Sequence, residues 1–132
     1  MTPTRLLIVD DTPMNISLAR AILEADGFVV EGATDAAEAM QKVFRFLPEV
    51  ILMDIQMPGM DGLKLTSILK ETDATKHIIV IAFTAYAMRG DEEKMRTLGC
   101  DGYLSKPIEV KTFAAQVRRE IALAAHRPSS AS

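Results

Sequence analysis

The chain has one cysteine, Cys100, so no internal disulfide can form, and a lone thiol fits a reducing compartment. It has no long hydrophobic run. The longest, Ile78 to Phe83, is far short of the roughly 20 apolar residues that cross a bilayer. Nor is there a basic, then apolar, leader pattern after Met1. These absences predict a cytoplasmic protein with no membrane segment. Positive charge is also scarce: 15 Lys and Arg against 18 Asp and Glu give a net charge of -3. That balance lacks the basic footprint of direct nucleic-acid binding.

What the chain does contain is a regular alternation. Its 132 residues suffice for one domain with a substantial core, and the 48% hydrophobic and 25% charged fractions are those of a folded globular protein. Five short apolar runs occur: Leu6 to Val9, Phe28 to Val30, Val50 to Met53, Ile78 to Phe83, and Tyr103-Leu104. Helical spacing fills the gaps, as in Leu18, Ala19, Ile22 and Leu23, and again in Val110, Phe113, Ala114, Val117 and Ile121. Punctuation agrees. Thr12-Pro13 reads as an N-cap with proline at N1, Gly27 as a left-handed helix end, and Asp35 with Glu38 as a capping box. Asp61 is expected to cap the third helix and Gly99 to close the fourth. The domain is expected over residues 1–125, with 126–132 ("HRPSSAS") a polar tail.

Strands apolar on both faces and separated by helices imply a parallel sheet covered on both sides. Right-handed crossovers leave few topologies. The expected fold is α/β: a doubly wound, flavodoxin-like (βα)5 domain with a five-stranded parallel sheet of order 2-1-3-4-5. In that order the winding reverses between strands 1 and 3, and ligands bind at the carboxyl ends of the strands there.

Those ends carry chemistry. Strand 1 closes on Asp10-Asp11, strand 3 on Asp54, strand 4 on Thr84, and strand 5 on Ser105-Lys106-Pro107. Three converging carboxylates repel unless something compensates. Hard oxygen donors without histidine or cysteine favour Mg²⁺, or Mn²⁺, over zinc. With a divalent cation present, one carboxylate can attack phosphorus, and phosphoryl transfer needs mainly positioning and charge neutralisation, which a lysine and a hydroxyl assist. Asp54 stands alone at the middle of the sheet and is the expected nucleophile, while Asp10 and Asp11 suit the metal. Singly, each residue has a plainer reading: a turn-forming aspartate, a threonine of high β propensity, a solvated lysine. Their joint placement on successive strand ends argues against coincidence.

"LIVDDTPMN", "ILMDIQMPGMDG", "IIVIAFTAYAM" and "GYLSKPI" together resemble the receiver domain of two-component response regulators, over residues 5 to about 124. "TPMN" and "TAYAMRGDEEKM" are most similar to single-domain regulators of the DivK type and to hybrid-kinase receivers. The resemblance implies that Asp54 accepts a phosphoryl group from a histidine kinase or histidine phosphotransfer protein. It implies Mg²⁺ held by Asp11, Asp54 and the backbone carbonyl of Gln56, with Asp10 acting through a metal-bound water. Lys106, on a cis peptide to Pro107, would pair with phosphoryl oxygens, Thr84 would move toward them, and Tyr103 would turn inward. Gln56, Ala85 and Tyr86 would tune access and phosphate lifetime, a bulky Tyr86 implying slow self-hydrolysis.

The resemblance also implies output by protein contact, through a surface of helix 4, strand 5 and helix 5: roughly Met88 to Leu98, Asp101 to Leu104 and Glu109 to Ala124. The state is expected to be monomeric or a phosphorylation-dependent dimer. Three other readings compete with this one. A flavodoxin-like electron carrier would want a Ser/Thr/Gly phosphate loop where "DDTPMN" stands. A haloacid-dehalogenase-type phosphatase needs a second acid where Gln56 stands. A phosphorylation-independent pseudo-receiver would not need the full acceptor set.

Overall fold

A computed structural model of the chain describes residues 3–55, 62–84 and 99–125. Five strands, β1 (Arg5–Val9), β2 (Val29–Ala33), β3 (Val50–Asp54), β4 (Ile79–Thr84) and β5 (Gly102–Ser105), form one sheet of order β2-β1-β3-β4-β5. Every pairing is parallel. Four helices lie among the described residues: α1 (Pro13–Ala25), α2 (Ala36–Phe46), α3 (Gly62–Glu71) and α4 (Phe113–Ala125). The expected doubly wound sheet is therefore present. The segment expected to form the fourth helix, 88–98, lies outside the described residues, as do Gln56, Asp61, Ala85, Tyr86 and the tail 126–132.

The strands explain their own burial. Alternate side chains point to opposite faces, and both faces are covered. Leu6, Ile8, Val50, Leu52, Ile81, Phe83 and Leu104 pack with Ala19 and Leu23 of α1 and Phe113 and Val117 of α4. Leu7, Val9, Ile51, Met53, Val80 and Ala82 pack with Ala39 and Val43 of α2 and Leu65 and Leu69 of α3. Each such Leu, Ile, Val, Phe or Met side chain contributes about 1.5–3 kcal/mol on leaving water.

Helix ends follow local chemistry. At the end of α1, Gly27 has φ 97°, its N–H donates to the Glu24 carbonyl, and the Phe28 N–H donates to the Leu23 carbonyl. This is a Schellman turn, and Phe28 and Leu23 on either side of it are buried in the same apolar cluster. Asp35 caps α2 by accepting from the Glu38 N–H at 2.8 Å, while Glu38 reaches back to the Thr34 N–H at 2.7 Å. The start of α1 differs from expectation: Thr12 sits at the N-cap with Pro13 at N1, but its side chain caps nothing. Its backbone N–H instead donates to Asp10 Oδ1 at 2.8 Å, which binds the helix start to the strand-end carboxylate.

Register then positions the site. Val9 is level with Met53, so the next residues, Asp10 and Asp54, emerge side by side. Asp54 is level with Phe83, one residue before Thr84, and Thr84 is level with Ser105, one before Lys106.

Candidate functional site at the carboxyl ends of the strands

Asp10 and Asp54 are buried, with 0% and 3% of their surface exposed, whereas Asp11 is exposed. One carboxylate oxygen from each of the three lies within 4.8 Å of the others. Convergence of this set is what the sequence order predicted. Lys106 sits between two of them, its Nζ 3.0 Å from Asp10 Oδ2 and 3.2 Å from Asp54 Oδ2. The mutual repulsion expected of the acids is therefore partly relieved from within the chain. Burial pulls the Lys106 ammonium down, but the hydrogen bond and charge of Asp10 and the charge and hydrogen bond of Asp54 outweigh it and hold its pKa above the ordinary lysine value.

Lys106 is fixed from several sides. Its backbone N–H donates to the Thr84 carbonyl at 2.7 Å, its peptide to Pro107 is cis, and its Nζ lies 5.3 Å from the centre of the Phe83 ring, within cation-π range. Thr84 is fully buried at the end of β4. Tyr103, on edge strand β5, is half-buried against the core on the α2 and α3 face, and its N–H donates to Glu120 Oε1 of α4 at 3.0 Å.

Three neighbours were not singled out from the sequence. Asn15 Nδ2 donates to Asp10 Oδ2 at 3.3 Å; the signal was its place five residues after Asp10, in the first turn of α1. Phe83 looked like any core residue of β4. Glu120 lies on the last helix, and only the packing of α4 on β5 brings it to Tyr103.

The donor set fits Mg²⁺ or Mn²⁺. It is all oxygen, and three carboxylates against one ammonium leave net negative charge. Asp10 already accepts from the Thr12 N–H, the Asn15 amide and Lys106, so its oxygens suit an indirect role. Asp11 and Asp54 are the better direct ligands.

A family model for the response regulator receiver domain matches residues 6–118. The chain belongs to that family. This receiver is similar to the polar-differentiation response regulator DivK of Brucella anthropi, 42% identical over 116 residues that span 88% of this chain and 94% of the relative. DivK of Brucella ovis is also 42% identical, over 113 residues, 86% of this chain and 92% of the relative. Among solved structures, the chemotaxis response regulator CheY4 of Vibrio cholerae matches with a TM-score of 0.83 at 25% identity, covering 90% of this chain and 99% of that one. A CheY-like receiver domain protein from Methanospirillum hungatei matches at 0.80 with 26% identity, covering 93% and 97%. The function is that of a two-component response regulator. Among the described residues, no helix is long and apolar enough to cross a membrane.

Proposed function

We propose that Asp54 is the phosphoacceptor of this receiver and that the domain signals by a change of conformation rather than by turnover of a substrate. The observation that carries the reading is the buried Asp54 carboxylate, at the end of the central strand, sharing Lys106 with Asp10 and converging with Asp11.

The donor is a phosphohistidine on a histidine kinase or a phosphotransfer protein. An Asp54 carboxylate oxygen forms a bond to phosphorus as the phosphorus–nitrogen bond breaks, and the electron pair leaves with the imidazole. Asp11, Asp54 and the Gln56 carbonyl would hold Mg²⁺, with Asp10 acting through a water, and the ion would supply charge neutralisation at the phosphoryl oxygens. Lys106 exchanges the unphosphorylated Asp54 carboxylate for the phosphoryl oxygens attached to it, keeping an anionic partner throughout. The Thr84 hydroxyl donates to the same group, and Tyr103 follows the space Thr84 leaves. The Thr84 contact exists only in the phosphorylated state, so it biases the domain toward one conformation.

The output partner is a protein that reads the face built by residues 88–98, β5 and α4, with dimerisation on phosphorylation as one form of that output. The working place is the cytoplasm. Gln56, Ala85 and Tyr86 are proposed to set phosphate lifetime. Incubation with acetyl phosphate and Mg²⁺, followed by intact mass, tests the reading. One phosphoryl increment that is lost in Asp54→Asn is expected; no increment at all favours a receiver that works without phosphorylation.

A further inference from the structure

Gly62 opens α3 and is buried. A Cβ at this position would lie 2.5 Å from the Asp54 carbonyl oxygen and 2.8 Å from Ile55 Cα. The first turn of the helix therefore rests directly on the peptide that leaves the proposed acceptor. Both obstructing atoms are backbone, so no change of rotamer could make room. Ordinary van der Waals contact begins near 3.4 Å, which leaves a side chain here nearly an ångström too close.

Either the helix or the acceptor peptide must yield to such a side chain, and the helix is held along its length. Leu65 and Leu69 are buried in the core on that face. Along one stripe at i, i+4 and i+8, Gly62, Thr66 and Lys70 follow one another. The Thr66 hydroxyl donates to the Gly62 carbonyl at 2.8 Å and hydrogen-bonds with the Cys100 thiol. Lys70 donates to the Asp101 carboxylate and to the Ile78 carbonyl, and its stem covers Gly99. The far end of α3 is thus pinned to the segment that enters β5. β3 ends at Asp54, so the peptide that the helix abuts is the one that leaves the strand.

We infer that Gly62 is a positioning residue for the phosphoacceptor: the missing side chain lets α3 seat on the Asp54–Ile55 peptide and so sets the Asp54 carboxylate beside Asp10 and Lys106. The inference rests on the reading of Asp54 as acceptor. A displacement of about 1 Å at a reacting group costs on the order of 100-fold in rate.

The test measures the rate at which the full chain is phosphorylated by acetyl phosphate with Mg²⁺, well below the melting temperature, with circular dichroism confirming the fold. The variants are Gly62→Ala, Lys70→Ala, the double variant, and Val117→Ala as a control destabilised far from the site. Gly62→Ala is expected to slow phosphorylation by about 100-fold, with Val117→Ala and Lys70→Ala near the wild-type rate. The double variant should recover at least about 10-fold over Gly62→Ala, because freeing the far end of α3 lets the helix retreat instead of the acceptor. Mere loss of stability predicts the opposite, a double variant worse than either single one. A wild-type rate in Gly62→Ala, or no recovery in the double variant, overturns the inference and leaves Asp54 as acceptor. If Gly62→Ala alone does not fold, the double variant decides by itself: folded and phosphorylated supports the inference, unfolded overturns it. No label on Asp54 in the wild-type chain removes both the reading and the inference.

Discussion

Replacing Lys106 by methionine keeps an unbranched stem and deletes the charge between two buried carboxylates. The ammonium stands 3.0 Å from Asp10 and 3.2 Å from Asp54. Breaking a buried pair by removing one partner costs about 3–5 kcal/mol. The Lys106 side chain keeps 19% of its exposure, so water screens the pair and the lower end, about 3 kcal/mol, applies. At ~2.1 cal/mol/K of unfolding entropy per residue, the whole chain changes by ~0.28 kcal/mol per degree, and the melting temperature should fall by ~11 °C. The assay is thermal melting by circular dichroism in EDTA and then in Mg²⁺. Because the cation supplies the missing positive charge, Mg²⁺ should raise the melting temperature more in Lys106→Met than in the wild type. The pH dependence has a definite sign. A lysine held above its ordinary pKa contributes its stability in full below that value, 10.5, and loses it as pH rises through the higher folded value. The gap between variant and wild type should therefore be flat through neutrality and close only in strong alkali. A melting temperature in EDTA within about 2 °C of wild type, or an equal response to Mg²⁺, would refute the claim that Lys106 serves as the internal counter-ion.

Three further outcomes are expected. Gly27→Ala should cost about 1 kcal/mol in urea unfolding, because φ 97° is adopted readily only by glycine; no loss would mean the turn relaxes. Asp35→Ala should cost about 1 kcal/mol by removing the cap on the Glu38 N–H, read in the same way. Cys100 is buried, and burial pushes its thiol up to about 11 even though the hydrogen bond with Thr66 opposes the rise. A thiol reagent at pH 8 should therefore label it only as fast as the chain opens, so added urea should speed labelling; rapid, urea-independent labelling would contradict the burial.

The fold was legible because each strand's apolar run is bounded by a helix signal, and the site because its residues are the first polar ones after those runs. Asp10, Asp54, Thr84 and Lys106 sit at strand ends for a reason that a sequence displays. Boundaries were less legible where a strand carries polar or small residues. β2 continues past Val30 through Glu31 and Gly32 to Ala33, because Ile16 of α1 lies over Gly32 and leaves no room for an apolar side chain that would have signalled a strand. The end of α2 was hidden for another reason: Leu47 adopts a left-handed conformation, φ 55°, that sequence rules reserve for glycine or asparagine. Long-range partners were beyond reach of any spacing rule. Glu120 on the Tyr103 N–H and Lys70 on Asp101 follow from packing, which brings together groups 17 to 31 positions apart.

The central claim is that Asp54 carries the phosphoryl group. After phosphorylation with acetyl phosphate and Mg²⁺, borohydride reduces an aspartyl phosphate to homoserine, and tandem mass spectrometry of the digest then locates the reduced position. The account predicts homoserine at position 54 alone, absent when EDTA replaces Mg²⁺. Homoserine at position 10 or 11 with none at 54, or no reduced aspartate in a chain that has gained phosphoryl mass, would contradict it.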